Sequence, residues 1–173
     1  AKGNPWRIMM LLAILTAVLS AFLDNVTTVL LVGPMTLTLC KLLKVNPAPF
    51  FITEIMASNI GGTATLIGDP PNIMIGSEAG LTFMDFIYYD APAVVIIMIV
   101  LIALFYVIYG RKMSVGQAEI NAVMELVPAD YIKNHRLLRI SVVMVVLVVL
   151  GFVFHGQLGV ESSIVALAAA GII

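Results

Sequence analysis

From Pro92 to Tyr109 the chain runs for 18 residues without a charged side chain, and few folds accommodate such a run. A helix needs roughly 20 apolar residues to cross about 30 Å of hydrocarbon. This one ends at Gly110, with Arg111 and Lys112 at the water boundary. Trp6 to Leu23, with Arg7 at its outer end, and Ile140 to Phe154 are apolar stretches of the same kind. Composition agrees: 61% of the 173 residues are hydrophobic and 11% charged, against roughly 25% charged in a typical soluble domain. Mean hydropathy is +1.10. That apolar surplus must be covered by lipid, so the expected class is an all-α, polytopic integral membrane protein.

Net charge is -1, with no basic tract, which argues against a nucleic-acid partner, since phosphates call for a dense cationic face. Cys40 is the one cysteine and forms no internal disulfide; its apolar neighbours make it a small core residue. The ten Met have no Cys or His cluster beside them to suggest a soft-metal site. No nucleophile and base pair, phosphate-binding glycine loop or zinc spacing appears, so an enzyme is not expected, and no organic cofactor is implied.

The chain opens at Ala1 without Met and stops inside an apolar run. The expectation is a segment of a longer protein, because Glu161 to Ile173 supplies only 13 residues for its last helix. No small-residue cleavage site follows Ile8 to Leu23, so the start does not read as a signal peptide.

The other apolar segments are shorter or broken. Asp24-Asn25-Val26-Thr27-Thr28 interrupts the first, and Val29 to Cys40 adds 12 residues with Pro34 inside, about 18 Å of helix that proline would kink. A helix-turn-helix with a polar tip fits a re-entrant hairpin, since irregular backbone at membrane depth requires protein or water around it. A helix from Pro47 or Pro49 to Ile60 then runs into Ser58 to Asn72, where three Gly and two Pro stand among polar side chains. Pro71 can open a second half-helix. A Gly/Pro-interrupted membrane segment is the best sequence pointer to a transporter's binding site, because broken helices present backbone groups and dipole ends to ions.

The organisation expected is therefore a re-entrant hairpin over 1–45 with its polar tip at 24–28, and a discontinuous transmembrane helix over 46–78 with its loop at 58–72. An interfacial connection and transmembrane helix follow over 79–110, then a cytoplasmic loop with short amphipathic helices over 111–139. A transmembrane helix and the start of the next occupy 140–173. This topology places Lys2, Arg7, Lys41, Lys44, Arg111, Lys112, Lys133, Arg136 and Arg139 on one side and Glu78, Asp85 and Asp90 on the other. By the positive-inside rule the basic side is cytoplasmic, in the cell membrane.

Three carboxylates, Asp24, Glu54 and Asp69, lie in apolar surroundings, where a mid-bilayer charge costs about 2.5 to 3.5 kcal/mol. Asp24 shares its break with Asn25, Thr27 and Thr28; Asp69 shares its own with Asn59, Thr63, Thr65 and Asn72. Oxygen groups of these kinds suit alkali cations, while amide N–H groups and helix N-termini also hold small anions. Blander readings stand beside these: Asp24 as a helix cap for Val26 or Thr27, Asp69 as a turn residue before Pro70-Pro71, and Glu54 reaching the interface. His135 and His155 read as loop and interface residues.

Leu23-Asp24-Asn25-Val26-Thr27-Thr28 and Asn59 to Asn72, reading NIGGTATLIGDPPN, resemble the signatures of the ion transporter superfamily that holds the ArsB/NhaD permeases, the P protein and the divalent-anion/sodium symporters. The resemblance is strong over Ser20 to Asn72 and rests on hydropathy elsewhere. It implies half of an inverted-repeat transporter, with the substrate and coupling ion between hairpin tip and helix break. Asn25 and Thr27 or Thr28 would contact them from the tip; Gly62, Thr63, Asp69, Pro70 and Asn72 would line the site from the broken helix. Carriers of this superfamily are often homodimers, and the remaining half of the transporter would be a partner.

Here Asp24 precedes Asn25 and Val26 intervenes before Thr27, unlike the Ser-Asn-Thr tip of the dicarboxylate branch, and two added negative charges would repel a dicarboxylate. The Asp-Asn and Gly-Asp pairs look like sodium/proton antiporters, in which Asp24, Asn25 and Asp69 would hold Na+ or H+ as the coupling ion. A carboxylate kept from water offers the same oxygens to either. Pro70-Pro71-Asn72 instead looks like the P protein and its bacterial relatives, for which anion movement is the expectation. The function expected is secondary active ion transport of the Na+/H+ or proton-coupled type. An anion or oxyanion permease (arsenite, chloride or carboxylate) and a non-transporting membrane subunit are the alternatives.

Overall fold

In the computed structural model, which describes residues 3–126, 134–158 and 162–172, every regular element is helical. Lys2, Asp130, Lys133 and Glu161 lie outside the described residues, as does the side chain of His155. Two compact units form, one from 1–81 with 85–126 and one from 82–84 with 127–173.

In the first unit, Asn4 accepts from the Arg7 N–H at 3.1 Å and Pro5 sets the opening turn of α1, Pro5–Ser20. After a short connection, Asp24 caps α2, Asn25–Leu43, which closes on Lys44 in the left-handed conformation. Asn46 accepts from the Ala48 N–H at 2.9 Å as α3, Ala48–Gly62, begins. Pro70 and Pro71 start α4, Pro70–Ala79, and Gly80 at φ +67° ends it. Then come α5, Phe83–Tyr89, which belongs to this unit from Asp85 onward, and α6, Ala91–Phe105, which continues as a π-helix over Tyr106–Gly110. The loop after it carries α7, Gln117–Met124.

The core of this unit lies where α1 packs on α3, flanked by α2 and α6. Met9, Ala13, Leu43, Phe50 and Ala57 are almost wholly buried there, and Cys40 joins them. Outward faces are apolar instead of polar: Leu30 and Leu31 of α2 and Ile96, Ile99 and Val100 of α6 are exposed. A surface of this kind is built for lipid. At Lys44 the ammonium pairs with Glu119 of α7 at 3.1 Å.

The second unit holds α8, His135–Leu158, and α9, Ser162–Ile172, with Val165 against Gly151 and Phe83 stacked on Phe152 at 6.2 Å. Among the described residues three helical stretches are long and apolar enough to cross a membrane: Asn25–Leu43, Ala91–Gly110 and His135–Phe154.

Several elements depart from the expected bounds. Where the sequence led to a 12-residue second arm from Val29, the structure has a 19-residue α2. The Asp24 cap recruits Asn25, Thr27 and Thr28 into the first helical turn, and α2 passes through Pro34, whose carbonyl accepts from the Thr38 hydroxyl at 2.9 Å. The break in the second segment is confined to 63–69, because Ser58 and Asn59 both donate to the Ile55 carbonyl and stay helical. The connection before Pro92 is itself helical, with Tyr88 and Tyr89 exposed. Helix α8 starts five residues before Ile140.

Candidate functional site

Asn25 is the first residue of α2. Its side chain accepts from the Ser20 hydroxyl at 2.7 Å and donates to Asn59 Oδ1 and Asp69 Oδ1, both at 3.3 Å. One amide thus joins the end of α1, the last turn of α3 and the residue that precedes α4. The two polar breaks, some 40 residues apart in sequence, form one place.

Close backbone approach makes this geometry feasible. A Cβ on Gly62 would overlap Asn25 Oδ1 and come within 2.8 Å of the Gly68 carbonyl oxygen. One on Gly68 would lie 2.7 Å from the Ser20 carbonyl oxygen, and one on Gly61 would run into the Ala17 backbone of α1. Glycine is the residue that permits such contacts. The Thr65 hydroxyl donates to the Ala21 carbonyl and accepts from the Gly68 N–H at 3.1 Å, tying loop 63–69 to the turn between α1 and α2. Asn72 donates to the Thr63 and Thr65 carbonyls at 3.2 and 2.9 Å, closing the loop from its other end.

Asp24 faces its own helix, accepting from the Thr27 N–H at 3.0 Å and the Thr27 hydroxyl at 3.2 Å. The capping reading therefore describes its geometry. Thr63 is exposed and donates to the Ile60 carbonyl in the last turn of α3, and Pro70 is exposed at the start of α4. Thr28 is fully buried, and its hydroxyl has no hydrogen-bond partner. Among the described residues no Lys, Arg or His forms a salt bridge with Asp24 or Asp69. Nor do three or more His, Cys, Asp or Glu side chains gather there.

The site is rich in acceptors and poor in donors. Pro70 and Pro71 have no N–H, and those of Asn72 and Ile73 turn back to the Asp69 carbonyl at 3.0 and 3.4 Å. A groove of about 230 Å³ opens beside Asn25, with Ser58 and Asn59 on its polar side and Val26, Val29, Leu30 and Ile55 on its apolar side.

One participant escaped the sequence reading: Ser20 orients Asn25, and its only signal was a small hydroxyl at the end of an apolar helix. Glu54, singled out in the sequence among the carboxylates in apolar surroundings, lies away from this site; it is 1% exposed, does not reach the interface, and accepts from the Thr36 hydroxyl of α2. That partner stands 18 residues earlier in sequence.

A family model described as citrate transporter matches residues 1–173. An uncharacterized transporter of Mycobacterium tuberculosis is 47% identical over all 173 residues, which make up 40% of its length. A 46 kDa membrane protein of Mycobacterium leprae is 43% identical over the same 173 residues, again 40% of its length. The human P protein is 40% identical over 117 residues, 65% of this chain and 14% of that protein. The chain thus spans about 40% of the length of the first curated relatives it matches. No solved structure matches it.

Proposed function

The chain belongs to the citrate transporter family, and we propose that the full-length protein is a secondary active carrier that moves a carboxylate of the citrate class together with a coupling cation, Na+ or H+. The observation that carries this is the meeting of Asn25 with Asp69, which joins both polar breaks in a site of acceptor oxygens. A polycarboxylate arriving alone would be repelled by Asp24 and Asp69. A cation held by Asp69, the Asn59 carbonyl and nearby backbone carbonyls removes that repulsion and leaves the Asn25 amide and the α2 N-terminus to the anion. The unpartnered Thr28 hydroxyl, a cost of about 1–3 kcal/mol when buried, is a further group that binding would satisfy once α2 shifts.

In this reading α1 and α2 form the hairpin, α3 and α4 the discontinuous helix, and the remainder of the protein supplies an inverted counterpart. The basic loops face the cytoplasm of a plasma-membrane carrier, which assembles as a homodimer. A second reading, Na+/H+ exchange without an organic anion, is favoured by the shortage of donors at the start of α4.

Labelled citrate uptake into proteoliposomes holding the full-length protein separates these readings. The expected result is uptake driven by an inward Na+ or proton gradient and lost in Asp69→Asn. Na+-dependent proton flux without citrate would support the exchanger instead, and neither flux in a correctly inserted protein would point to a non-transporting subunit.

A further inference from the structure

Glu54 lies outside the site just described and is buried between α2 and α3. One carboxyl oxygen accepts from the buried Thr36 hydroxyl, and the other, Oε2, has no hydrogen-bond partner. Phe50 and Ala57, one helical turn before and after it on α3, belong to the apolar core that α1 and α2 share, and the outer face of α2 is lipophilic. An ionised carboxylate in such a place requires a counter-charge or a full set of donors. One hydroxyl is not a full set.

The groups facing it leave little choice. Helices α1, α2 and α6 pack on α3. The titratable groups of α1 and α2 are the exposed Arg7 and Lys41 and the buried Cys40 thiol, which is within electrostatic reach of Glu54; α6 has none. No described cation pairs with the carboxyl. A hard metal cation gathers roughly six oxygen ligands, whereas among the described residues only the Thr36 hydroxyl is bonded to this carboxyl and no cluster of three or more His, Cys, Asp or Glu surrounds it. A proton needs a single oxygen.

We infer that Glu54 is a proton-binding site: a neutral carboxylic acid while α2 and α3 are closed over it, giving its proton to water when their contact opens during transport. The proton leaves Oε2, the carboxylate is hydrated as it forms, and reclosure requires reprotonation. This places the coupling proton about two helical turns from the Asn25–Asp69 site, on the helix that ends there, and its part in coupling rests on the carrier reading.

Infrared titration of the purified full-length protein tests the proton directly. The expected result is a carbonyl stretch of a neutral carboxylic acid at neutral pH, lost on alkaline titration and absent from Glu54→Gln. A wild-type spectrum whose neutral-acid band is unchanged by Glu54→Gln overturns the inference. In proteoliposomes, Glu54→Gln is expected to lose at least tenfold in citrate accumulation driven by a pH gradient, with a flat pH profile. Accumulation and a pH profile equal to wild type would overturn the coupling role. Should Glu54→Gln fail to fold, Thr36→Val and Glu54→Asp serve: each is expected to displace the titration midpoint of the band, and an unmoved midpoint in both contradicts the assignment. A wild type that carries no citrate overturns the carrier reading, and the infrared band then decides Glu54 by itself.

Discussion

Gly62→Ala perturbs the meeting point of the two breaks with a single methyl group. The new Cβ would overlap Asn25 Oδ1, with the Gly68 carbonyl oxygen at 2.8 Å on the other side, so the Asn25 side chain has to rotate away. It then loses its bonds to Ser20 at 2.7 Å and to Asn59 and Asp69 at 3.3 Å. A typical intramolecular hydrogen bond contributes about 0.5–1.5 kcal/mol, and the two long ones belong at the low end. The sum is about 1.5–2.5 kcal/mol. Because Asn25→Ala forfeits the same bonds, its cost is expected to be similar, and the double variant should cost clearly less than the two added together. The coupling expected for groups in contact is about 1–2 kcal/mol. Denaturant titration of the purified full-length protein in detergent measures all four corners of this cycle. Strictly additive costs would show that Gly62 does not hold Asn25, and the construction of the site given above would be refuted.

Further outcomes follow from neighbouring contacts. Gly61→Ala is expected to destabilise by about 1–3 kcal/mol through overpacking against the Ala17 backbone, without relief from Asn25→Ala; the same titration reads it. Asp24→Ser keeps an acceptor for the Thr27 N–H and should stay within about 0.5 kcal/mol of wild type, whereas Asp24→Ala loses the cap and about 0.5–2 kcal/mol. Comparing uptake in Asp24→Ser then separates capping from ion binding, because only the second role needs the charge. On the α7 side, Glu119 is held below its usual value of 4.5 by its own backbone N–H and then by Lys44. Its folded-state value lies below its unfolded one, so the contribution is complete above that range and fades as acid protonates it. Protection of the α7 amides, measured against their intrinsic exchange rates at each pH, should therefore fall in acid, and in high salt as the exposed pair is screened. Protection indifferent to both would show that the pair does not hold α7.

Much of this was legible before any coordinates. Long uncharged runs identify the helices at Ala91–Gly110 and His135–Phe154, and the glycines and prolines between Ser58 and Asn72 mark the break. The meeting of Asn25 with Asp69 was within reach through the resemblance of both motifs to one superfamily. Less legible were features that depend on a partner from elsewhere. Polar residues at 24–28 read as a turn, yet a single cap converts three of them into helix. Glu54 reads equally as a charge in apolar surroundings and as a residue that reaches the interface, and its burial against Thr36 keeps it from water. Ser20 is anonymous in sequence because its function is to orient another side chain.

The central claim is that Asn25 and Asp69 belong to one ion-binding site. Calorimetric titration of citrate into the purified full-length protein, with and without Na+ and at two pH values, tests it most directly. The expected result is cation-dependent binding that weakens at least tenfold, about 1.4 kcal/mol, in both Asn25→Ala and Asp69→Asn. Binding of equal affinity in wild type and both variants would contradict the account.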